Sequence, residues 1–191
     1  MKRLAGLLAL FVLLLGMGYW LFLKESKPKS AAVKRIPCQS EVVCFERTYR
    51  MGELQKVIDL LKARRYTLVS RIQKSEYMPS RLFGFISKEQ VDAMVATAIE
   101  TRVPKLDAGT TEGNLVIDYL IYENDKLHPG KKTEKSKWYE GYLAFSFKLE
   151  GATVYKFQID FMDEQGADIP ERVACAVASL LSLDVSADNK K

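Results

Sequence analysis

The chain has a single histidine, His128, and only three cysteines among its 191 residues. No two cysteines stand in CxxC spacing, so neither the usual zinc site nor a thioredoxin-like dithiol can be assembled. GxSxG, HExxH, Walker A and GxGxxG patterns are missing, which removes the nucleophile elbow, the zincin helix, the P-loop and the dinucleotide turn. His128 stands beside Pro129 and Gly130 in a polar stretch, without the packed surroundings that orient a general base. Asp160, Asp163, Glu164 and Asp168 gather around Gly166. An EF-hand begun at Asp160 would put Met162 and Gln165 where an oxygen ligand and the glycine are needed. These carboxylates read instead as turn and cap residues of a following helix. No cofactor or metal is expected, and the domain reads as non-enzymatic.

What the chain does have is one long uncharged run, Leu4 to Leu23. As a helix it would span roughly 30 Å, the thickness of a bilayer's hydrocarbon core. Met1, Lys2 and Arg3 precede it in the manner of an export signal. The run continues past Gly16 and Gly18 through Tyr19 and Trp20, a pair suited to the headgroup belt. An uncleaved signal anchor is therefore favoured over a cleaved signal. Lys24, Lys27, Lys29, Lys34 and Arg35 follow it, and taken alone would hold the domain in the cytosol. The reading adopted is a single-pass protein of the bacterial inner membrane with its C-terminal domain in the periplasm. The layout is an anchor over 1–23, a basic tether over 24–37, a domain over 38–185 and a polar tail over 186–191.

The net charge of +5 suggests nucleic acid until it is divided. Residues 1–37 hold seven Lys and Arg against one acidic residue, which leaves 22 basic and 23 acidic residues for the remainder. The basicity belongs to the membrane flanks, and the domain lacks the electrostatic footprint that phosphate binding requires. Nucleic acid is excluded as a partner. The bilayer, met through Leu4 to Leu23, and a protein of the envelope are the partners expected.

Within the domain, three amphipathic helices are predicted. Leu54, Val57, Ile58 and Leu61 recur at helical spacing between Gly52 and Arg65. Ser87 and Gln90 form a capping box before Val91, Met94, Val95 and Ala98, and Pro104 ends that helix. Asp168, Pro170 and Glu171 open the third, with Val173, Val177, Leu180 and Leu181 as its stripe. Strands are predicted over Tyr66–Ile72, Leu82–Ile86 and Leu115–Tyr122. A hairpin follows in which Leu143, Phe145, Phe147 and Leu149, then Tyr155, Phe157, Ile159 and Phe161, alternate with polar residues. Such alternation packs one face and wets the other. The expected fold class is α+β: a transmembrane helix followed by a two-layer domain with an antiparallel-rich sheet and about three helices.

Three features are candidates for function. Cys38 and Cys44 flank five residues and would close a small disulfide loop in an oxidising compartment. A straight strand would hold their Cα atoms about 20 Å apart, so that bridge needs a turn; Cys44–Cys175 and three reduced thiols are the alternatives. Asp118, in the apolar strand LVIDYLIY, must face water or find a partner, and Lys148 or Lys156 could pair with it across the sheet. It shares the wet face with Leu120, Tyr122, Tyr142, Val116 and Val154, large apolar groups that mark a binding surface unless the Pro37 to Arg50 segment covers them. Finally, Glu123 to Lys137 reads as a mobile polar arm whose Lys131, Lys132, Lys135 and Lys137 could meet a partner or lipid headgroups. The function expected is a membrane-anchored accessory, assembly or binding protein of an envelope complex. The alternatives are a binder of lipid or cell-wall ligand on the sheet face, and a cytosol-facing regulator.

Overall fold

The computed structural model describes residues 35–106 and 112–184. The anchor Leu4 to Leu23, the tether up to residue 34 and the tail 186–191 lie outside the described residues. Among the described residues no helix is long and apolar enough to cross a membrane. The domain is α+β, with a five-stranded mixed sheet and three helices. In chain order these are β1 (Cys44–Thr48), α1 (Leu54–Lys62), β2 (Tyr66–Gln73), α2 (Lys88–Arg102), β3 (Leu115–Glu123), β4 (Gly141–Leu149), β5 (Ala152–Phe161) and α3 (Ile169–Leu181).

The sheet order is β1-β5-β4-β3-β2. Three neighbouring pairs are antiparallel; β2 and β3 are parallel and joined by the crossover that contains α2. Parallel neighbours need such a long connection, whereas β4 and β5 meet through a tight turn. Glu150 (φ 49) and Gly151 (φ 79) both take positive φ there, the type I′ geometry that matches strand twist. Gly141 opens β4 because a side chain would not fit: a Cβ would lie 2.1 Å from the Tyr122 carbonyl oxygen.

The alternating residues Leu115, Ile117, Tyr119 and Ile121 of β3 face Leu149, Phe147, Phe145 and Leu143 of β4 in register. These, with Tyr155, Phe157, Ile159 and Phe161, are buried beneath the helices. α1 packs on β3, β4 and β5, α2 on β2 and α3, and α3 on β4 and β5. The predicted capping box of α2 is present, Ser87 Oγ accepting from Gln90 N and Gln90 Oε1 from Ser87 N. Arg64 ends α1 in the left-handed region at φ 59, its guanidinium bonding the Val103 carbonyl at 2.8 Å.

Four expectations are corrected. Leu82–Ile86 is not a strand: Leu82–Gly84 is a single 3-10 turn. The Glu123 carboxylate takes the backbone N–H groups of Arg81 (2.7 Å) and Leu82 (2.9 Å), and those donors are lost to any ladder. Asp168 does not cap α3 with its side chain; its carboxylate turns back to Met162 N (2.8 Å) and Asp163 N (3.3 Å). Val154 is fully buried rather than on the wet face, because the β4–β5 register shifts beside it.

The disulfide is Cys38–Cys175, with a Cα–Cα distance of 5.9 Å, and not Cys38–Cys44. The turn Pro37–Ser40 seats Cys38 against α3, while Cys44 already belongs to β1 and points into the core, its thiol donating to the Gln39 carbonyl at 3.5 Å. Arg35 reinforces the junction. Its guanidinium bonds Glu46 of β1 and, at the C-terminal end of α3, the Ser179 carbonyl (3.0 Å), where the helix dipole favours a cation.

Candidate functional site: the open sheet face

All three helices lie on one side of the sheet, and the Pro37 to Arg50 segment does not cover the other. It becomes the Pro37–Ser40 turn and the edge strand β1, which widens the open face instead. From one edge to the other that face presents Phe45 and Arg47 of β1, Lys156, Gln158 and Asp160 of β5, and Tyr142, Ala144, Ser146 and Lys148 of β4. Asp118, Leu120 and Tyr122 of β3 and Val69 and Arg71 of β2 complete it.

The residues singled out in the sequence fall into three groups on this face. Asp118 is paired, its carboxylate accepting from Lys148 Nζ at 2.5 Å and from Arg71 Nη2 at 2.9 Å. Burial pushes its pKa up, but the bonds from Lys148 and Arg71 outweigh this and hold it below the usual carboxylate range. An ionised carboxylate clamped by two cations is a cross-strand tie, not a proton acceptor. Leu120 lies beside this tie, in register with Ala144 and Arg71.

Tyr122 and Tyr142 stack with ring centroids 4.4 Å apart, and Lys131 Nζ sits 5.5 Å from the Tyr122 ring and 5.2 Å from that of Tyr139. The lysine loop is therefore not the loose arm expected. Asn124 donates to the Ser136 and Tyr139 carbonyls at 3.1 and 2.7 Å and accepts from Lys131, and Lys126 pairs with Glu140. Lys132 and Lys135 are exposed, and Lys137 lies 3.5 Å from Glu134. Lys156 stands apart near β1, its Nζ 5.9 Å from the Tyr49 ring, which Arg47 also covers at 5.0 Å. His128 is exposed, edge-on to Tyr77 at 4.9 Å, its Nδ1 accepting from Gly130 N.

A further residue of this face escaped the sequence reading. Asp160, placed among the turn carboxylates by its spacing, faces away from them into a cleft of about 440 Å³ at the β1 edge. Phe45, Trp138, Tyr139 and Met162 form its walls, with Glu41 and Lys135 also lining it. Asp160 is 8% exposed, and burial pushes its carboxyl up to about 6 against the weaker opposing effect of a bond from Gln158. The raised value means that the folded state holds the proton more tightly than the unfolded chain. Stability is then greatest below the unfolded value and falls as pH rises through about 6. Asp160→Asn is expected to raise stability at pH 7.5 by about 2 kcal/mol, with the difference vanishing near pH 4. Urea melts of wild type and variant at the two pH values check this.

On the helix side, Asp92 gathers Tyr119 Oη (2.5 Å), Ser70 Oγ (3.0 Å) and Lys88 Nζ (3.3 Å), and Lys88 also reaches Ser70 at 3.2 Å. The serine-lysine contact resembles a nucleophile with its base only in composition. Hydrogen bonding to Asp92 raises the lysine pKa, which keeps it protonated and unable to accept the serine proton. Among the described residues no His, Cys, Asp and Glu cluster could hold a metal ion. No family model, curated protein or solved structure matches this chain.

Proposed function

We propose that the chain is a single-pass, membrane-anchored accessory or assembly protein of the bacterial envelope. Leu4 to Leu23 hold it to the inner membrane, and its periplasmic α+β domain binds a protein partner without catalysis of its own. The observation that carries this reading is the open sheet face. A five-stranded surface left bare by all three helices, with Phe45 63% and Trp138 67% exposed at one edge, has the make-up of an interaction surface. The Cys38–Cys175 bridge supports the periplasmic side, since disulfides persist in oxidising compartments.

A photo-crosslinking amino acid placed at Phe45, Leu120 or Tyr142 of the full-length chain in its own membrane tests this. The expected result is a discrete adduct with an envelope protein, shared by these positions and missing from a probe at exposed Thr97 on α2. Adducts with lipid or glycan mass only would favour the ligand-binding reading. Identical patterns from both sides of the domain, or none, would sink the proposal.

A further inference from the structure

The cleft at the β1 edge differs from the rest of the open face in one respect. Elsewhere each carboxylate on that face is matched: Asp118 by Lys148 and Arg71. Glu41, at the rim of the cleft, is already engaged by Arg172 at 2.9 Å. Among the described residues Asp160 has no such cation. Its neighbours across the strands are Tyr142 of β4 and, on β1's approach, Val43, whose carbonyl accepts the Asp160 backbone N–H at 3.0 Å; along β5 the neighbour is Gln158. None of these groups carries a charge. Among the described residues, the cation that lines the cleft is Lys135, on an exposed part of the loop. A carboxylate more than nine-tenths buried, unmatched in charge and walled by aromatic rings, offers most to an incoming cation with an apolar stem.

The rim points to the size of the occupant. Phe45, Trp138, Val43 and Met162 are all exposed around the opening, more apolar surface than an isolated ion would cover. A second cleft continues from Phe45 and Gln158 along the sheet to Tyr49, so the surface extends beyond the carboxylate. A central charged anchor within an apolar ring that excludes water is the arrangement of an interface hot spot.

Resting on the reading of the open face given above, we propose that this cleft receives a basic side chain of the protein partner. The alkyl stem would lie on Phe45 and Met162 and the cation would meet Asp160. Lys135 is then a competitor that the partner's side chain displaces.

The test uses the full-length chain in nanodiscs, with Trp20→Phe so that Trp138 is its sole tryptophan. Nα-acetyl-lysine N-methylamide is titrated against its uncharged analogue, Nα-acetyl-norleucine N-methylamide, and Trp138 fluorescence is read. At pH 7.5 the lysine probe is expected to bind at least about tenfold more tightly than the norleucine probe. Asp160→Asn should bring the two within about twofold, and Lys135→Ala should strengthen the lysine probe. Lowering the pH to 5 should cost the lysine probe about tenfold as the carboxyl takes up its proton. Equal binding of both probes to the parent chain, a lysine preference that survives Asp160→Asn, or no saturable response would overturn the proposal. A chain that crosslinks an envelope protein but ignores the lysine probe refutes the cleft chemistry alone. One that binds the probe but captures no protein refutes the partner, and with it the source of the side chain.

Discussion

Replacing Cys38 and Cys175 together by alanine is expected to cost about 2–5 kcal/mol of stability. The bridge joins residues 137 apart in sequence, so it closes a loop comprising nearly all of the folded domain. In the chain-entropy account such a loop lies at the upper end of the range, about 5 kcal/mol. Urea melts followed by circular dichroism, with and without dithiothreitol, measure this. Wild type should lose stability on reduction, and the double variant should match reduced wild type and ignore the reductant. Cys44→Ala should leave the sensitivity to reductant intact, since the Cys44 thiol lies outside the bridge. A double variant as stable as oxidised wild type would mean that the bridge adds nothing beyond what Arg35 and Gln39 already secure.

Glu123→Ala is expected to cost about 3 kcal/mol, because one buried carboxylate satisfies several donors at once. Its two oxygens accept from Ser75 N (3.1 Å), Ser75 Oγ (3.2 Å), Arg81 N (2.7 Å) and Leu82 N (2.9 Å). Burial alone would push its pKa up, but the Leu82 N–H, the Ser80 hydroxyl and the Ser75 and Arg81 N–H groups outweigh that and lower it. A lowered folded value means that the stabilisation is complete above the unfolded value of about 4.3 and lost as pH falls through the folded value. Hydrogen exchange offers a local readout. The Arg81 and Leu82 amides should lose protection in the variant while those of β4 and β5 keep theirs. Unchanged exchange across residues 75–82 would show that the loop does not depend on Glu123.

The pKa values of Asp160 and Glu123 are shifted in opposite directions, the first by burial and the second by the donors around it, and neither environment is legible in the sequence. The β4–β5 hairpin, the capping box of Ser87 and Gln90 and the stripes of α1 and α3 were legible because each depends on residues a few positions apart. So was a lysine partner for Asp118, since an apolar strand must resolve a buried charge and the hairpin offered Lys148 and Lys156; the choice of Lys148, which reaches Asp118 diagonally from opposite Val116, was not. Leu82–Ile86 misled because its β propensity is local, whereas the acceptor of its backbone donors, Glu123, lies 41 residues downstream of Leu82. The pairing of Cys38 with Cys175 and the cleft around Asp160 depend on where β1 enters the sheet. Nothing within the Pro37 to Arg50 segment declares that it will pair with β5, the last strand among the described residues. The exposed Trp138 was the one available hint of the cleft, a large aromatic in a polar stretch that otherwise had no reason to hold one.

The placement of the disulfide also sets how the domain bears mechanical load. A pull on the chain ahead of Arg35 reaches the fold first at Arg35, bonded to Glu46 of β1 and to the Ser179 carbonyl, and then at the Pro37–Ser40 turn. Without a bridge there, tension would peel β1 from β5, one hydrogen-bonded pair at a time, since β1 is an edge strand of only five residues. The covalent link sends that tension into Cys175 in the middle of α3, a helix packed on β4, β5 and α2. The bridge thereby ties the segment ahead of β1 to the helix layer, alongside the Arg35 contacts to Glu46 and to the Ser179 carbonyl.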